Sequence, residues 1–526
     1  MSHASDAAHL YARKAHAFDW CVGLRTETKK MTVGRWSRVL RDFLNYLFFS
    51  SCGFSTAGVP ITLRGTTHVL FASLHALIAD AEGLAEGLEV KGAAGIRPCA
   101  VCDNVVALNS DLVSRTRGHF VEISCSRHSD FKRATPLTVG RSVNLVLAAR
   151  RRLAAGAMTK AALQDIEKST GLSATPHGVL ACERLRPILV AAHSYDWVHC
   201  VLSSGTLHVE INALIALRLR NLNWATLEAA FSLPWSLPSY ARHHAGQLYK
   251  IFRTSGASSE GKLKCSCGEL LGIYAILRHI LTAAVKDVPP MNLASFCACC
   301  SVVDVIMAAK ASRNGDVASK WAAELLSKIT QHMDAHKRAY GTQLLLPKHH
   351  YLYHVPQQLQ RDNTVIDLFT LERLHLQLKR PAEKLRTHES QYAESLMRAR
   401  LAAQAADLRV ADEAADCLLG KQVPLDGPLH GFVARSMDSN GVQISVGDVV
   451  ICREKHAVGR VTACVMYAAS TDLHCFVDGY VLVERLAEHS TAWRATGAEL
   501  TWKARTLELP KAWYVDGSAD CLVVVV

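Results

Sequence analysis

The chain lacks the features of a secreted or membrane-spanning protein. Its first residues, MSHASDAAHLYARK, contain no apolar signal core. We find no window of 18 uncharged apolar residues, and the stretch FLNYLFFSSCGF is too short to cross a bilayer. The 17 cysteines are odd in number and follow no regular spacing, so no disulfide framework is indicated. We therefore expect reduced thiols or metal ligands, and no membrane partner.

Neither repeats nor low-complexity tails interrupt the 526 residues, a length sufficient for about two to four domains. Hydrophobic residues make up 49% of the chain and charged residues 20%, which is typical of a globular protein. The net charge of +12 favours a polyanionic partner such as nucleic acid. A generic basic enzyme is the alternative explanation of this charge.

Periodicity divides the chain into a long, mainly helical part and a short β part. A helix is predicted around GRWSRVLRDFLNYLFF. From VPITLRGTTHVL onward the pattern predicts a strand, a turn and an apolar, strand-like run that ends at Asp80, and GHFVEISC predicts a further strand. The stretch LVLAARRRLAAGAMTKAALQDIEKSTG predicts one amphipathic helix ending at Gly171. Helical patterns continue to about residue 345 and again over 364–420.

The helical period disappears near residues 425–440, where we place a domain boundary. Short alternating runs with glycine turns follow, for example VQISVGDVVI. They predict a small, barrel-like β domain over 440–526. Domains of this kind bind peptides or nucleic acid, or pack on a larger domain, and the sequence does not choose among these roles.

Two pairs of residues have the spacing of metal ligands. Cys99 and Cys102 form C-x-x-C in RPCAVCDNV, and His350 and His354 lie four apart in LPKHHYLYH. The thiol pair suits one tetrahedral Zn²⁺, and a helix would place both imidazoles on one face. The alternatives are buried free thiols and hydrogen-bonded histidines. A Cys₂His₂ site that uses all four residues would connect two segments that lie about 250 residues apart in the sequence.

A third pattern follows the histidines. Glu372, Arg373 and Lys379 in FTLERLHLQLKR put a carboxylate beside two cations. In a metal-dependent phosphoryl-transfer site, such an acid binds Mg²⁺ while the cations contact DNA phosphates. A solvated helix face with ordinary charges is the alternative.

The paired cysteines, YDWVH, PKHHYLYH and FTLERLHLQLKR, in this order, resemble transposases of the CACTA (En/Spm-like) group. The resemblance covers roughly residues 60–400. It implies an RNase H-like core in which an Asp, Asp and Glu triad binds two divalent metals, Mg or Mn, to cut and join DNA. It also implies a long helical insertion, here about 100–345, that holds a structural zinc.

The resemblance assigns roles by position. Asp80 in LIADAEG matches the second catalytic acid, and Glu372 matches the last. Cys99, Cys102, His350 and His354 match the presumed zinc ligands. Asp196 in SYDWVHC matches a family D-x-M-H motif, with Val198 in place of Met, and is either catalytic support or part of a structural pair.

The first acid of the triad has no counterpart. Only about 60 residues precede the matched region, and Asp19 is the one acid there in a plausible context. We therefore expect a transposon-derived protein that is truncated at its N-terminus and has lost its catalytic activity. The transposase-like core would span residues 1–425. The protein would lie in the nucleus and bind DNA, and it could form homo-oligomers. A non-catalytic, zinc-containing nucleic-acid-binding protein is the alternative function.

Overall fold

The computed structural model describes most of residues 35–368 and 417–525. Within these two ranges it leaves out 64, 116–118, 126, 238–243, 312–316, 420, 426–430, 440–441, 453, 456, 468–472, 488–489, 504–506, 509–511 and 517–520. The chain divides into two compact units. The first unit comprises residues 1–206 and 301–388, and the second comprises 207–300 and 389–526. Both helices and sheets are present, so the broad α/β prediction is confirmed.

The first unit is mainly helical, as predicted. Its helices are α1 (Arg35–Phe49), α2 (Ala81–Gly87), α3 (Leu112–Arg115), α4 (Pro136–Ala154), α5 (Lys160–Thr170), α6 (Arg186–Ala192), α7 (Trp197–Val201), α13 (Val317–Tyr340), α14 (Pro347–Tyr351) and α15 (His354–Asp362). The helix predicted in GRWSRVLRDFLNYLFF is α1.

Three small two-stranded sheets accompany these helices. The strand and turn predicted from VPITLRGTTHVL onward belong to an antiparallel hairpin, and the apolar run that ends at Asp80 closes with a three-residue strand. The strand predicted in GHFVEISC is confirmed only for two residues. The strands are β1 (Val59–Leu63), β2 (Thr66–Leu70), β3 (Leu77–Ala79), β4 (Val105–Val106), β5 (Val121–Glu122) and β6 (His193–Tyr195), and β3 pairs with β6 and β4 with β5 in parallel.

The prediction of a single helix ending at Gly171 is wrong in one respect, because the structure has two helices there, α4 and α5. Gly156 follows α4 with a φ of +71°, which turns the backbone out of the helix. Thr159 then caps α5 by accepting a hydrogen bond from the backbone N–H of Ala162. Gly171 ends α5 in the left-handed conformation, as predicted.

The second unit combines helices with a large sheet. Its helices are α8 (Thr206–Ala216), α9 (Trp224–Phe231), α10 (Tyr249–Gly256), α11 (Cys267–His279) and the first half of α12 (Pro290–Ala311), inside which the division between the units falls. By length and composition, Cys267–Ala284 and Pro290–Lys310 are apolar enough to cross a membrane, and about half of each is buried in the fold. Core helices of soluble proteins meet the same criteria.

The β part predicted after residue 425 is confirmed as antiparallel strands. They are β7 (Cys417–Leu419), β8 (Val423–Leu425), β9 (Gly431–Ala434), β10 (Ser436–Ser439), β11 (Val442–Ser445), β12 (Val449–Cys452), β13 (Ala457–Tyr467), β14 (Leu473–Ala487), β15 (Ser490–Lys503), β16 (Leu507–Glu508), β17 (Ala512–Asp516) and β18 (Cys521–Val525). Nine strands form one sheet: seven follow the order β16-β12-β13-β14-β15-β18-β17, while β9 pairs with β13 and β8 pairs with β9. The barrel-like prediction is wrong for the described strands, because the end strands β8, β16 and β17 do not pair with one another and the sheet stays open.

Candidate metal centre

The two cysteines lie on a loop that precedes β4. This loop is fixed by a short antiparallel bridge between Cys102 and Arg133. Beside the bridge, the carbonyl of Val101 accepts a hydrogen bond from the N–H of Ala134 at 2.7 Å. The Cys99 and Cys102 side chains are both buried. A C-x-x-C turn held in this way presents both thiols to the interior of the unit.

The two histidines lie at the junction of two short helices. A single continuous helix would place both imidazoles on one face, but α14 ends at Tyr351 and α15 begins at His354. The intervening Leu352 and Tyr353 keep right-handed helical dihedral angles, with φ near −60°. The four-residue spacing therefore still brings the imidazoles together, and the Nε2 atoms of His350 and His354 are 3.2 Å apart.

These four side chains meet in the first unit. His354 Nε2 lies 3.3 Å from Cys99 Sγ and 3.5 Å from Cys102 Sγ. All four ligand atoms lie within 4.8 Å of one another, and all four residues are buried. A tetrahedral zinc would set N–N and S–N separations of about 3.3 and 3.6 Å. The arrangement is thus a buried Cys₂His₂ cluster that could hold a metal such as zinc.

The electrostatics of the cluster favour a thiolate at Cys99. Burial opposes this ionisation, but the hydrogen bond from Cys102 and the nearby His354 and His350 together hold the pKa of Cys99 well below its usual range. The same hydrogen bond, together with burial, raises the pKa of Cys102. Burial lowers the pKa of His350, so its ring stays neutral. A thiolate and neutral imidazoles are the ligand forms that a divalent metal requires.

A tyrosine on β6 contacts the cluster directly. The hydroxyl of Tyr195 donates to Cys99 Sγ at 3.4 Å and accepts the N–H of Ala100 at 3.1 Å. Its ring stacks on Tyr351, with centroids 4.3 Å apart, and the Tyr351 hydroxyl donates to the carbonyl of Pro98 at 2.8 Å. These contacts connect the cysteine loop to β6 and α14. No sequence pattern assigned a role to the Tyr195 side chain, because its partner Cys99 is 96 positions away.

Two of the three predicted acids follow neighbouring parallel strands. Residues 79 and 195 are paired in the β3–β6 register, so Asp80 and Asp196 occupy equivalent positions after them. Asp80 caps α2 by accepting the N–H of Gly83 at 2.6 Å. Asp196 caps α7, and one of its carboxylate oxygens lies 2.6 Å from His199 Nδ1. In the structure, both acids are helix caps.

Some of the other predicted residues have no described position. Glu372, Arg373 and Lys379 lie outside the described residues, as does Asp19. Cys125 and His128, which have ligand spacing and lie closer to the C-x-x-C in the sequence, are not among the four clustered residues, and Cys125 Sγ donates to a carboxylate oxygen of Asp130 at 3.2 Å.

Comparison of this chain with protein-family models, with curated proteins and with solved structures finds no match.

Proposed function

We propose that this protein binds nucleic acid and contains a structural zinc that holds distant segments of the chain together. It descends from a transposase but does not catalyse strand transfer. In this proposal the first unit derives from an RNase H-like core with a helical insertion, and the protein acts in the nucleus. The buried Cys₂His₂ cluster carries the proposal, since it joins residues at the start and end of that insertion.

Zinc is the metal that the donor set favours. Two thiolates and two imidazoles in a closed, tetrahedral arrangement are typical of structural zinc, whereas Mg²⁺ and Mn²⁺ prefer oxygen ligands. All four ligands are protein side chains and all are buried, which leaves no open position for a substrate. The chemistry of this centre is therefore structural.

Charge supports the nucleic-acid partner. The net charge is +12, and α4 presents exposed basic side chains to solvent while burying its opposite face. Arg141, Arg151 and Arg152 are exposed, and none of them forms an ion pair within the described ranges. Unpaired arginines along one helix can contact successive phosphates and release counterions.

Two measurements test this proposal. Purified protein should contain one zinc per chain and bind duplex DNA with an affinity that falls steeply with salt. Changing Arg141, Arg151 and Arg152 to Glu should weaken binding at least tenfold and flatten the salt dependence. A control with the same charge change at Lys250, Lys262 and Arg460, which are exposed and outside α4, should bind more tightly than the α4 variant. Equal losses in both variants would mean that only net charge matters, and the absence of zinc would refute the proposal.

Metal-dependent DNA cleavage is a second candidate, favoured by one observation. Asp80 and Asp196 follow adjacent parallel strands at the same register, a backbone placement from which two carboxylates could reach one divalent ion after releasing their helix-cap hydrogen bonds. The test is nicking of supercoiled plasmid in Mg²⁺ or Mn²⁺. Nicking activity that disappears in the Glu372→Ala variant would show that the protein cleaves DNA and does not merely bind it.

A further inference from the structure

Three sulfur atoms lie close together in the core of the second unit. Cys464 on β13 and Cys475 on β14 are direct partners in the antiparallel register. Their thiols hydrogen-bond to each other, and the Cys475 thiol also donates to Met437 Sδ at a distance of 3.9 Å. Met437 lies on β10, in the three-stranded sheet β11-β10-β7. Strands from two sheets therefore bring three sulfurs to one place.

These three side chains have no contact with solvent. Each is 0% exposed, and all three belong to one hydrophobic cluster. Burial and the hydrogen bond between the two thiols raise the pKa of Cys475, so the empty protein keeps this thiol protonated at neutral pH. Packing of soft side chains in a core is the alternative explanation of this cluster.

The spacing and the chemistry of the sulfurs suit one soft metal ion. With metal–sulfur bonds of about 2.3 Å, three sulfurs in a plane around one ion lie about 4.0 Å apart. The separation of Met437 Sδ from Cys475 Sγ, 3.9 Å, agrees with this value. Thiolate and thioether ligands together favour Cu(I), whereas structural zinc takes four ligands and binds thiolates and imidazoles.

We propose that Met437, Cys464 and Cys475 bind one Cu(I) ion. The ion replaces both thiol protons, which pass to solvent, and it stays Cu(I), so binding consumes no oxidant. It connects β10 of the small sheet to β13 and β14 of the large one. The site shares no residue with the Cys₂His₂ cluster of the first unit and does not depend on nucleic-acid binding.

The test uses full-length protein from cells supplied with copper, so that the ion can enter while the chain folds. After purification without oxygen and dialysis against a weak copper chelator, we expect one Cu(I) per chain, whether or not zinc is retained. X-ray absorption at the copper edge should show three sulfur ligands at about 2.3 Å. Protein that retains no copper, or copper with nitrogen ligands as the Cys₂His₂ cluster would supply, would overturn the proposal.

Variants assign the copper to these sulfurs. Met437→Leu nearly keeps the side-chain volume but removes the thioether, so copper affinity should fall about tenfold. Met466 packs against the same cluster, which makes Met466→Leu the matched control. Cys475→Ala should lose the copper, whereas Cys452→Ala, at another buried cysteine of the cluster, should retain it. Circular dichroism checks that each variant is folded. Equal copper affinity in the two methionine variants, or equal retention in the two cysteine variants, would show that the ion binds elsewhere.

Discussion

Removal of the metal should destabilise the first unit strongly. The cluster joins Cys99 to His354, which are 255 positions apart. If the metal acts as a cross-link, the loop-closure relation for disulfides gives about 5.5 kcal/mol for a loop of this length. Domain stabilities are about 5–15 kcal/mol, so this one centre contributes a large fraction.

The melting temperature should report this loss. The first unit has about 290 residues, so an unfolding entropy of about 2.1 cal/mol/K per residue means that each kcal/mol shifts its melting temperature by roughly 1.6 °C. The metal-free first unit should therefore unfold about 9 °C below the metal-bound form. The second unit contains none of the four ligands, so its transition should move much less.

Differential scanning calorimetry with parallel zinc analysis measures both effects. Protein treated with a chelator and the Cys99→Ser variant should each lack zinc and show the lower transition. Cys125→Ser is the matched control, because Cys125 is outside the cluster and a serine there can still donate to Asp130. A chelated protein that melts within about 2 °C of the zinc-bound protein would refute the cross-link reasoning.

Two other predictions concern single contacts. In urea unfolding, Gly171→Ala should lower the free energy of unfolding by roughly 1–3 kcal/mol more than Gly156→Ala does. Both glycines have a positive φ, but only at Gly171 would an added Cβ lie 2.3 Å from the carbonyl oxygen of Arg97. Equal costs would mean that the backbone moves away without strain. Tyr195→Phe should weaken zinc retention about tenfold against a competing chelator with unchanged circular dichroism, because it removes the hydrogen bond to Cys99. Unchanged zinc retention would show that this hydrogen bond does not support the metal.

The sequence predicted the convergence of the metal ligands because ligand chemistry restricts spacing. Two thiols separated by two residues and two imidazoles separated by four can each hold one side of a tetrahedral ion. The structure brings Cys99, Cys102, His350 and His354 together, although the two histidines lie on two short helices with an interruption between them. The spacing survives because the interruption keeps helical dihedral angles.

Long-range features of the site had no local signal. The contacts of Tyr195 with the cysteine loop depend on how β3 and β6 pair, which no periodicity encodes. The break between α4 and α5 was missed because the apolar period continues through it, whereas the turn depends on Gly156.

Substitutions at Asp80 distinguish the non-catalytic function from DNA cleavage. Asn and Asp are equally good helix caps, but Asn is the poorer metal ligand. As the cap of α2, Asp80 accepts the N–H of Gly83, so Asp80→Asn should retain nearly full stability while Asp80→Ala loses about 1 kcal/mol. Under the binding function, neither variant changes affinity for DNA and none of the three proteins nicks plasmid in Mg²⁺. Nicking by the parent protein that is absent in the equally stable Asn variant would make Asp80 a metal ligand and establish catalysis.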